Sequence, residues 1–400
     1  MAKKNITAVP ISGKRVLIRV DFNVPIEDGA ITDDRRIREA LPTIKSVLDR
    51  GGSAVLMSHL GRPEGKGVEP EYSLKPCSER LSNLLGKPVA FPSSDCVDDK
   101  AAVAVKAMKP GDVVLLENLR FHKAEKKGDP AFAAKLAAYG DAYCNDAFGT
   151  CHRAEASMVA VPTAMQGKPR VVGLLVEKEL KYLTEAVASP KKPFVVVLGG
   201  AKVSDKMAAI ENLLPKADAL IVGGAMAYTF LKAMGKKVGS SRVEEDRLGD
   251  AKRALELAAS LKKTIHLPTD HVCGQKFEEG TAAKAVDGEI PEGWMGLDIG
   301  PKTQAAFAGV IAAAKTIVWN GPMGVFEWKA FSAGTERVGK AMAEATAKGA
   351  VSIVGGGDSA AAVEKFDLAA KMSHVSTGGG ASLEMLEGKR FESVGLLDEA

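Results

Sequence analysis

The stretch Phe194-Val195-Val196-Val197-Leu198-Gly199-Gly200-Ala201-Lys202-Val203-Ser204-Asp205-Lys206 opens with consecutive apolar residues, turns on two glycines and continues with lysines four positions apart. An apolar run this short, mostly β-branched, reads as a strand buried on both faces, the condition of a parallel sheet covered by helices. The glycines let backbone amides approach an anion, and the helix start expected behind them favours negative charge. On that reading Lys202 and Lys206 share one helical face within reach of one polyphosphate, although an ordinary exposed lysine pair has the same spacing. The stretch is not the Gly-x-x-x-x-Gly-Lys-Ser/Thr loop, which the chain lacks.

The same rhythm recurs at Arg15 to Val20, Ser53 to Ser58, Val113 to Leu116, Ala219 to Val222, Thr316 to Trp319 and Val351 to Val354, with alanine-rich helical stretches between. It predicts an α/β protein of two Rossmann-like domains, each a parallel sheet flanked by helices, with a cleft between them. The 400 residues exceed what one core usually serves. Ligands of such sheets sit beyond the carboxyl ends of the strands. In the first half those ends carry Asp21 and Asn23, His59 and Arg62, Glu117 and Arg120, Asn145 and Asp146. In the second half they carry Gly199-Gly200, Gly223-Gly224, Gly321 and Gly355-Gly356-Gly357. Between the halves, Val176, Leu180, Leu183 and Val187 fall on one helical face, and Ser189-Pro190-Lys191-Lys192-Pro193 ends that helix. The expected domains are 1–173 and 188–394, joined by a helix over 174–187.

Composition narrows the function classes. Hydrophobic residues make up 46% and charged residues 26%, the balance of a globular protein. The 54 basic and 50 acidic residues are mixed along the chain, so no basic stripe points to nucleic acid. The lysines near the start are followed by no apolar segment, and no run reaches the ~20 residues of a membrane span. Cys77, Cys96, Cys144, Cys151 and Cys273 form no Cys-x-x-Cys pair, which fits structural thiols in a reducing, cytoplasmic setting.

The first-half ends suit an acidic ligand. Arg19-Val20-Asp21-Phe22-Asn23-Val24-Pro25 puts polar groups where a strand stops. Asp33-Asp34-Arg35-Arg36-Ile37-Arg38 opens a helix with Asp33 or Asp34 as N-cap and Ile37, Leu41 and Ile44 as its apolar stripe. Three arginines there oppose the helix dipole, a conflict that a bound anion would relieve. His59-Leu60-Gly61-Arg62-Pro63, Leu116-Glu117-Asn118-Leu119-Arg120-Phe121-His122 and the His152-Arg153 pair add further cationic ends, and guanidinium suits bidentate phosphate or carboxylate binding. Singly, each arginine or histidine reads more simply as a solvated or structural group; their recurrence at the strand ends of one sheet favours a site.

In the second half, Gly355-Gly356-Gly357-Asp358-Ser359 begins an alanine-rich helix, with Asp358 able to serve a magnesium ion or to cap the helix. Ser376-Thr377-Gly378-Gly379-Gly380 makes another anion-friendly helix start. Neither matches Gly-x-Gly-x-x-Gly, against a dinucleotide reader. Glu327 suits a ribose, a surface role being equally open, and Trp294-Met295-Gly296-Leu297-Asp298 offers backbone for an adenine slot.

Taken in order, Arg19 to Pro25, His59 to Pro63, Leu116 to Phe121, Gly199 to Lys206, Gly321 to Glu327 and Gly355 to Ser359 closely resemble the phosphoglycerate kinase family over essentially the whole chain. The resemblance implies reversible transfer of the ATP γ-phosphate to the carboxylate of 3-phosphoglycerate, giving 1,3-bisphosphoglycerate and ADP, by a monomer with ATP/ADP and Mg²⁺. It assigns substrate binding to Asp21, Phe22, Asn23, Arg36, His59, Leu60, Gly61, Arg62, Arg120 and Arg153. It assigns the nucleotide to Lys202, Lys206, Gly296, Glu327, Gly356, Gly357, Asp358 and Ser359, with Asp358 toward the metal. Arg36, Lys202, Gly356 and Gly379 are the implied catalytic set, and the last residues, roughly Gly395 to Ala400, are expected to fold back on the first domain. Cys151 stands where the family pattern leads one to expect alanine, leaving Arg153 in place. The acceptor carboxylate is already ionised at pH 7, so no general base is needed. Neutralising charge on the phosphoryl group and in-line placement are needed, together with a hinge motion about the connecting helix that excludes water. Another ATP-dependent acyl kinase and a non-catalytic phosphometabolite-binding module are the competing readings.

Overall fold

Buried along most of its length, Arg15–Val20 (β1) can be covered only by placing helices on both sides of its sheet, and it lies at the centre of five parallel strands. Its neighbours are Ser53–Met57 (β2), Val113–Leu115 (β3), Ala142–Asp146 (β4) and Arg170–Val172 (β5), in the order β3-β2-β1-β4-β5. The computed structural model describes residues 2–400. They divide into two units, Met1–Leu180 with Arg390–Ala400 and Lys181–Lys389.

In the first unit, Arg35–Asp49 (α1) buries Ile37, Ala40, Ile44 and Val47, and Leu41 is only half-buried. Asp34 occupies its N-cap without a side-chain cap bond, while Asp33 Oδ1 accepts from the Arg35 amide at 2.9 Å. The chain end belongs to this unit from Arg390 onward: the Lys4 amide donates to Asp398 O at 2.9 Å, the Ala400 amide to Ala2 O at 3.0 Å, and Ser393 Oγ to Cys151 O at 2.7 Å. Phe391 packs against Phe148 and His152.

The segment expected as one helix over 174–187 is divided into an α-helix, Leu174–Leu180 (α2), a π-helical turn, Lys181–Glu185, and a short α-helical end, Ala186–Ala188. Of the expected stripe, Val176, Leu183 and Val187 are buried and Leu180, the last residue before the π-turn, is only half-buried, while Glu179 beside it is buried. The boundary between the units falls at this change of helix type. Asp146, the last residue of β4, caps α2, its Oδ1 accepting from the Leu175 amide at 3.0 Å.

Burial pushes the Asp146 carboxyl up to about 7, against the Thr43 and amide hydrogen bonds that favour the carboxylate. Raised above its unfolded value, this group lends stability that is full below ~4 and is lost as pH rises through 7. Between pH 5 and pH 8 urea denaturation should therefore find the first unit weakened by about 2–3 kcal/mol through Asp146, and Asp146→Asn should flatten that part of the profile. Parallel profiles for parent and variant would exclude this carboxyl as the source.

In the second unit Phe194–Leu198 (β6) pairs in parallel with Ala219–Val222 (β7) on one side and with Thr316–Asn320 on the other. Between those runs come Thr264–His266 (β8), Asp270–Gly274 (β9), Lys284–Asp287 (β10) and Met295–Ile299 (β11). Thr316–Asn320 is thus β12, followed by Val351–Gly355 (β13) and His374–Val375 (β14). The main sheet runs β8-β7-β6-β12-β13-β14, around a core that includes Trp319, Phe307, Val338 and Met342. A separate antiparallel sheet, β10-β9-β11, carries the Met295-Gly296 segment. Among the described residues no helix is long and apolar enough to cross a membrane.

Both main sheets reverse direction of strand order beside their first strand, between β1 and β4 and between β6 and β12. That reversal opens a crevice at the carboxyl edge where ligands of doubly wound sheets bind.

Candidate functional site

At the β1/β4 reversal of the first unit, Asp21 is buried and its Oδ2 accepts from Arg36 Nη1 at 2.6 Å. Of the three arginines opening α1, Arg35 is answered by Asp33 (2.8 Å) and Arg38 by Asp34 (2.8 Å). The dipole conflict is thus met locally for those two, and Arg36 alone reaches another strand end. Asn23 Oδ1 accepts from the Gly61 amide at 2.8 Å, clipping the loop after β1 to the loop after β2.

His59 is 2% exposed, and its Nδ1 stands 3.1 Å from Arg19 Nη2. A guanidinium only donates, so Nδ1 accepts and the ring proton sits on Nε2. Desolvation, then the charges of Arg19, Arg120, Arg153 and Arg36, push the His59 pKa well down, which leaves a neutral ring. Arg120 donates through Nη1 to Gly61 O at 2.8 Å and through Nη2 to Glu155 Oε1 at 2.6 Å, while its buried Nε has no partner. Arg153 is 39% exposed in its side chain, with Nη1 3.6 Å from Glu155 Oε1. Arg62 is exposed and, among the described residues, its guanidinium has no hydrogen bond or ion pair. Phe22 and Leu60 are buried and their amides already donate to Ser58 Oγ and Asn118 Oδ1, so their contribution is the shape of the turns.

At the β6/β12 reversal of the second unit, the loops after the two strands touch backbone to backbone. The Gly199 amide donates to Asn320 O and the Gly200 amide to Pro322 O, each at 3.0 Å. A Cβ at Gly199 would lie 2.1 Å from Pro322 O, so no side chain fits. Residues 201–206 are turns and bends, and the helix begins only at Met207 (Met207–Leu213, α3). The expectation of two lysines on one helical face is corrected here: Lys202 is exposed, whereas Lys206 is half-buried and its Nζ donates to Asn320 Oδ1. Desolvation lowers the Lys206 pKa, against the pull of Asp205, Asp358 and Glu387.

Gly356 and Gly379 are the N-cap residues of Gly357–Lys365 (α4) and Gly380–Leu386 (α5), with φ of 92° and 51° that favour glycine. Asp358 therefore lies in the first turn of α4 rather than capping it, exposed, and Ser359 Oγ accepts from the Gly321 amide at 2.6 Å. Gly357 and Glu327 are exposed. Gly296 sits on the antiparallel sheet, where a Cβ would be 1.9 Å from the Tyr228 hydroxyl oxygen. Asn320 was not anticipated from sequence, yet its Oδ1 holds Lys206 and its buried Nδ2 has no partner.

One edge offers guanidinium groups and the other glycine turns with ammonium groups, the chemistry of two anionic ligands. The family model for phosphoglycerate kinase matches residues 6–389. The chain belongs to the phosphoglycerate kinase family. It is therefore a phosphotransferase with a carboxyl group as acceptor, making 1,3-bisphosphoglycerate and ADP reversibly from 3-phosphoglycerate and ATP. Phosphoglycerate kinase of Rhodopirellula baltica is 58% identical over the full length of both chains, and that of Thermosipho africanus 56%, covering 98% of this chain and 97% of its own. The solved phosphoglycerate kinase of Coxiella burnetii superposes with a TM-score of 0.89 at 41% identity, over 98% of each chain.

Sequence reading passed over Arg19 and Glu155. Arg19 is fully buried, donating through Nε to Ser157 Oγ at 2.9 Å and through Nη1 to Val20 O at 2.5 Å. Its position between apolar Val16-Leu17-Ile18 and Val20 of one strand was the available signal; Glu155 gave none. Asp95, Cys96 and His122 also converge, His122 Nε2 lying 3.1 Å from Asp95 Oδ1. That Asp95 oxygen also accepts from the Val97 amide at 2.8 Å, His122 packs on Phe132, and burial pushes the Cys96 thiol well up, so the cluster reads as a packed joint. All five cysteines are free and buried.

Proposed function

We propose that the arginine-lined edge of the first unit binds 3-phosphoglycerate through Asp21, Asn23, Arg36, His59, Arg62, Arg120 and Arg153, and that the glycine-lined edge of the second binds Mg-ATP through Lys202, Lys206, Gly296, Glu327 and the Gly356–Ser359 turn. The observation that carries it is the charge at the first edge: five guanidiniums (Arg19, Arg36, Arg62, Arg120, Arg153) against the carboxylates Asp21, Glu155 and, deeper beside Arg19, Glu125 leave an excess of positive charge suited to a small polyanion. Neutral His59 adds an Nε2–H donor.

The phosphoryl group passes directly and in line to a carboxylate that needs no deprotonation. Arg36 and Lys202 neutralise its growing charge, and the amides at Gly356 and Gly379 assist. The exposed, unpaired Asp358 carboxylate beside the glycine turn fits a magnesium ion, which when bound would screen charge on the phosphates. Bringing the two ligands together is a movement about the Leu174–Ala188 run. We read the protein as a cytoplasmic monomer: its buried, unpaired thiols suit a reducing compartment, and each anion site is formed within one chain.

A coupled assay with Mg-ATP tests these assignments. Consumption of 3-phosphoglycerate but not acetate, with Lys202→Ala losing turnover and keeping 3-phosphoglycerate binding, is expected. Equal use of acetate would favour another acyl kinase, and binding without turnover a phosphometabolite-binding module.

A further inference from the structure

Glu155 is the acidic side chain of the arginine-lined edge that the substrate assignment leaves without a task. Its Oε1 accepts from Arg120 Nη2 at 2.6 Å and lies 3.6 Å from Arg153 Nη1, while its Oε2 stands 3.8 Å from Arg19 Nη2. Guanidiniums from β1 and from the turns that follow β3 and β4 thus converge on one carboxylate whose side chain is 8% exposed. Burial would raise its pKa, but Arg19, Arg120 and Arg153 outweigh that and hold it below the usual carboxylate range, so Glu155 is an anion.

It is an anion held incompletely. Oε2 is buried and accepts no hydrogen bond, an expensive state for a carboxylate oxygen. Glu125, deeper in the same cluster, is the contrast: Ser157 donates to both its oxygens, through the hydroxyl to Oε1 at 2.5 Å and through the amide to Oε2 at 3.0 Å. A carboxylate kept only for structure would be expected to look like Glu125. Glu155 instead occupies guanidinium faces that an incoming phosphate or carboxylate would use, and Arg153 meets it only at long range.

We propose that Glu155 is a built-in counter-anion that limits the site's grip on acidic ligands: it steadies Arg120 and Arg153 when no ligand is present and competes with the ligand for them. This rests on the reading of this edge as the 3-phosphoglycerate site. Weaker ground-state binding of substrate and product favours turnover, because affinity shared equally by ground and transition states slows release without speeding chemistry.

The test is calorimetric titration of the full-length protein with sulfate and, separately, with 3-phosphoglycerate. Glu155→Gln keeps the shape and the acceptor for Arg120 and removes the charge. Its dissociation constants for both ligands should fall about tenfold at low ionic strength, the order expected from one nearby charge, and the difference should shrink with salt. KM for 3-phosphoglycerate and kcat should fall together. Glu155→Asp, which keeps the charge for folding but draws it back, should tighten sulfate binding about threefold and serves if the glutamine variant does not fold. Unchanged or weaker sulfate binding in the folded variants would overturn the proposal and leave Glu155 a structural ion pair. If the parent bound sulfate but not 3-phosphoglycerate, the substrate assignment would fail, and the sulfate series would still decide the role of Glu155.

Discussion

Arg36→Ala should lower kcat about 10³-fold at saturating 3-phosphoglycerate and Mg-ATP, with a far smaller change in KM. A guanidinium that meets charge developing on a transferring phosphoryl group contributes on that scale. The local electrostatics isolate Arg36 for this role: Arg35 and Arg38 are tied to Asp33 and Asp34, and Arg36 leans from the start of α1 onto Asp21 at the end of β1. A third of the Arg36 side chain is exposed, so loss of the ion pair should cost only about 1 kcal/mol. Thermal unfolding should therefore move by no more than a few degrees. Arg36→Lys keeps the charge but loses the fork that could hold Asp21 and a phosphoryl oxygen together, and should recover only part of the rate. A kcat within tenfold of the parent in Arg36→Ala would remove Arg36 from the mechanism, and a raised KM with unchanged kcat would make it a simple binding group.

Arg19→Met should destabilise the first unit by about 3–5 kcal/mol, a fall in its unfolding temperature of roughly 10 °C. Methionine fills most of the volume, so the effect reports charge and hydrogen bonding rather than a cavity. Without Arg19, fully buried Glu125 loses its counter-charge, His59 Nδ1 loses its donor, and Ser157 Oγ and Val20 O lose theirs. Breaking one side of a buried charge network costs more than the network contributes, since the remaining groups cannot be rehydrated. Differential scanning calorimetry is the measurement. A shift below about 3 °C would mean that Glu125 takes up a proton at little cost and that Arg19 serves the site more than the fold.

The sheets were readable in the sequence because a parallel strand buried on both faces leaves an unbroken apolar run, as at Phe194–Leu198 and Ala219–Val222. β4 was harder: Ala142-Tyr143-Cys144-Asn145-Asp146 is entirely buried yet ends in two polar residues, and only those ends were noticed. The charged residues at the strand ends were legible, being out of place after apolar runs. The Gly199–Lys206 turn was not, because its course is fixed by the backbone of Gly321 and Pro322 lying against it, a contact between positions more than a hundred residues apart. The same holds for Glu155, an ordinary glutamate until Arg19, Arg120 and Arg153 are folded around it. The π-turn at Lys181–Glu185 escaped because the helical period was assumed to continue.

The two ends of the chain meet in the first unit, Lys4 bonded to Asp398 and Ala2 to Ala400, while Phe391 and Ser393 support the turn that carries Arg153. During synthesis, therefore, the half that leaves the ribosome first is the last to be finished. Its sheet can assemble early, but the support beneath Arg153 arrives only once Phe391 and Ser393 have been made, so a nascent chain that has not reached them lacks a completed anion site.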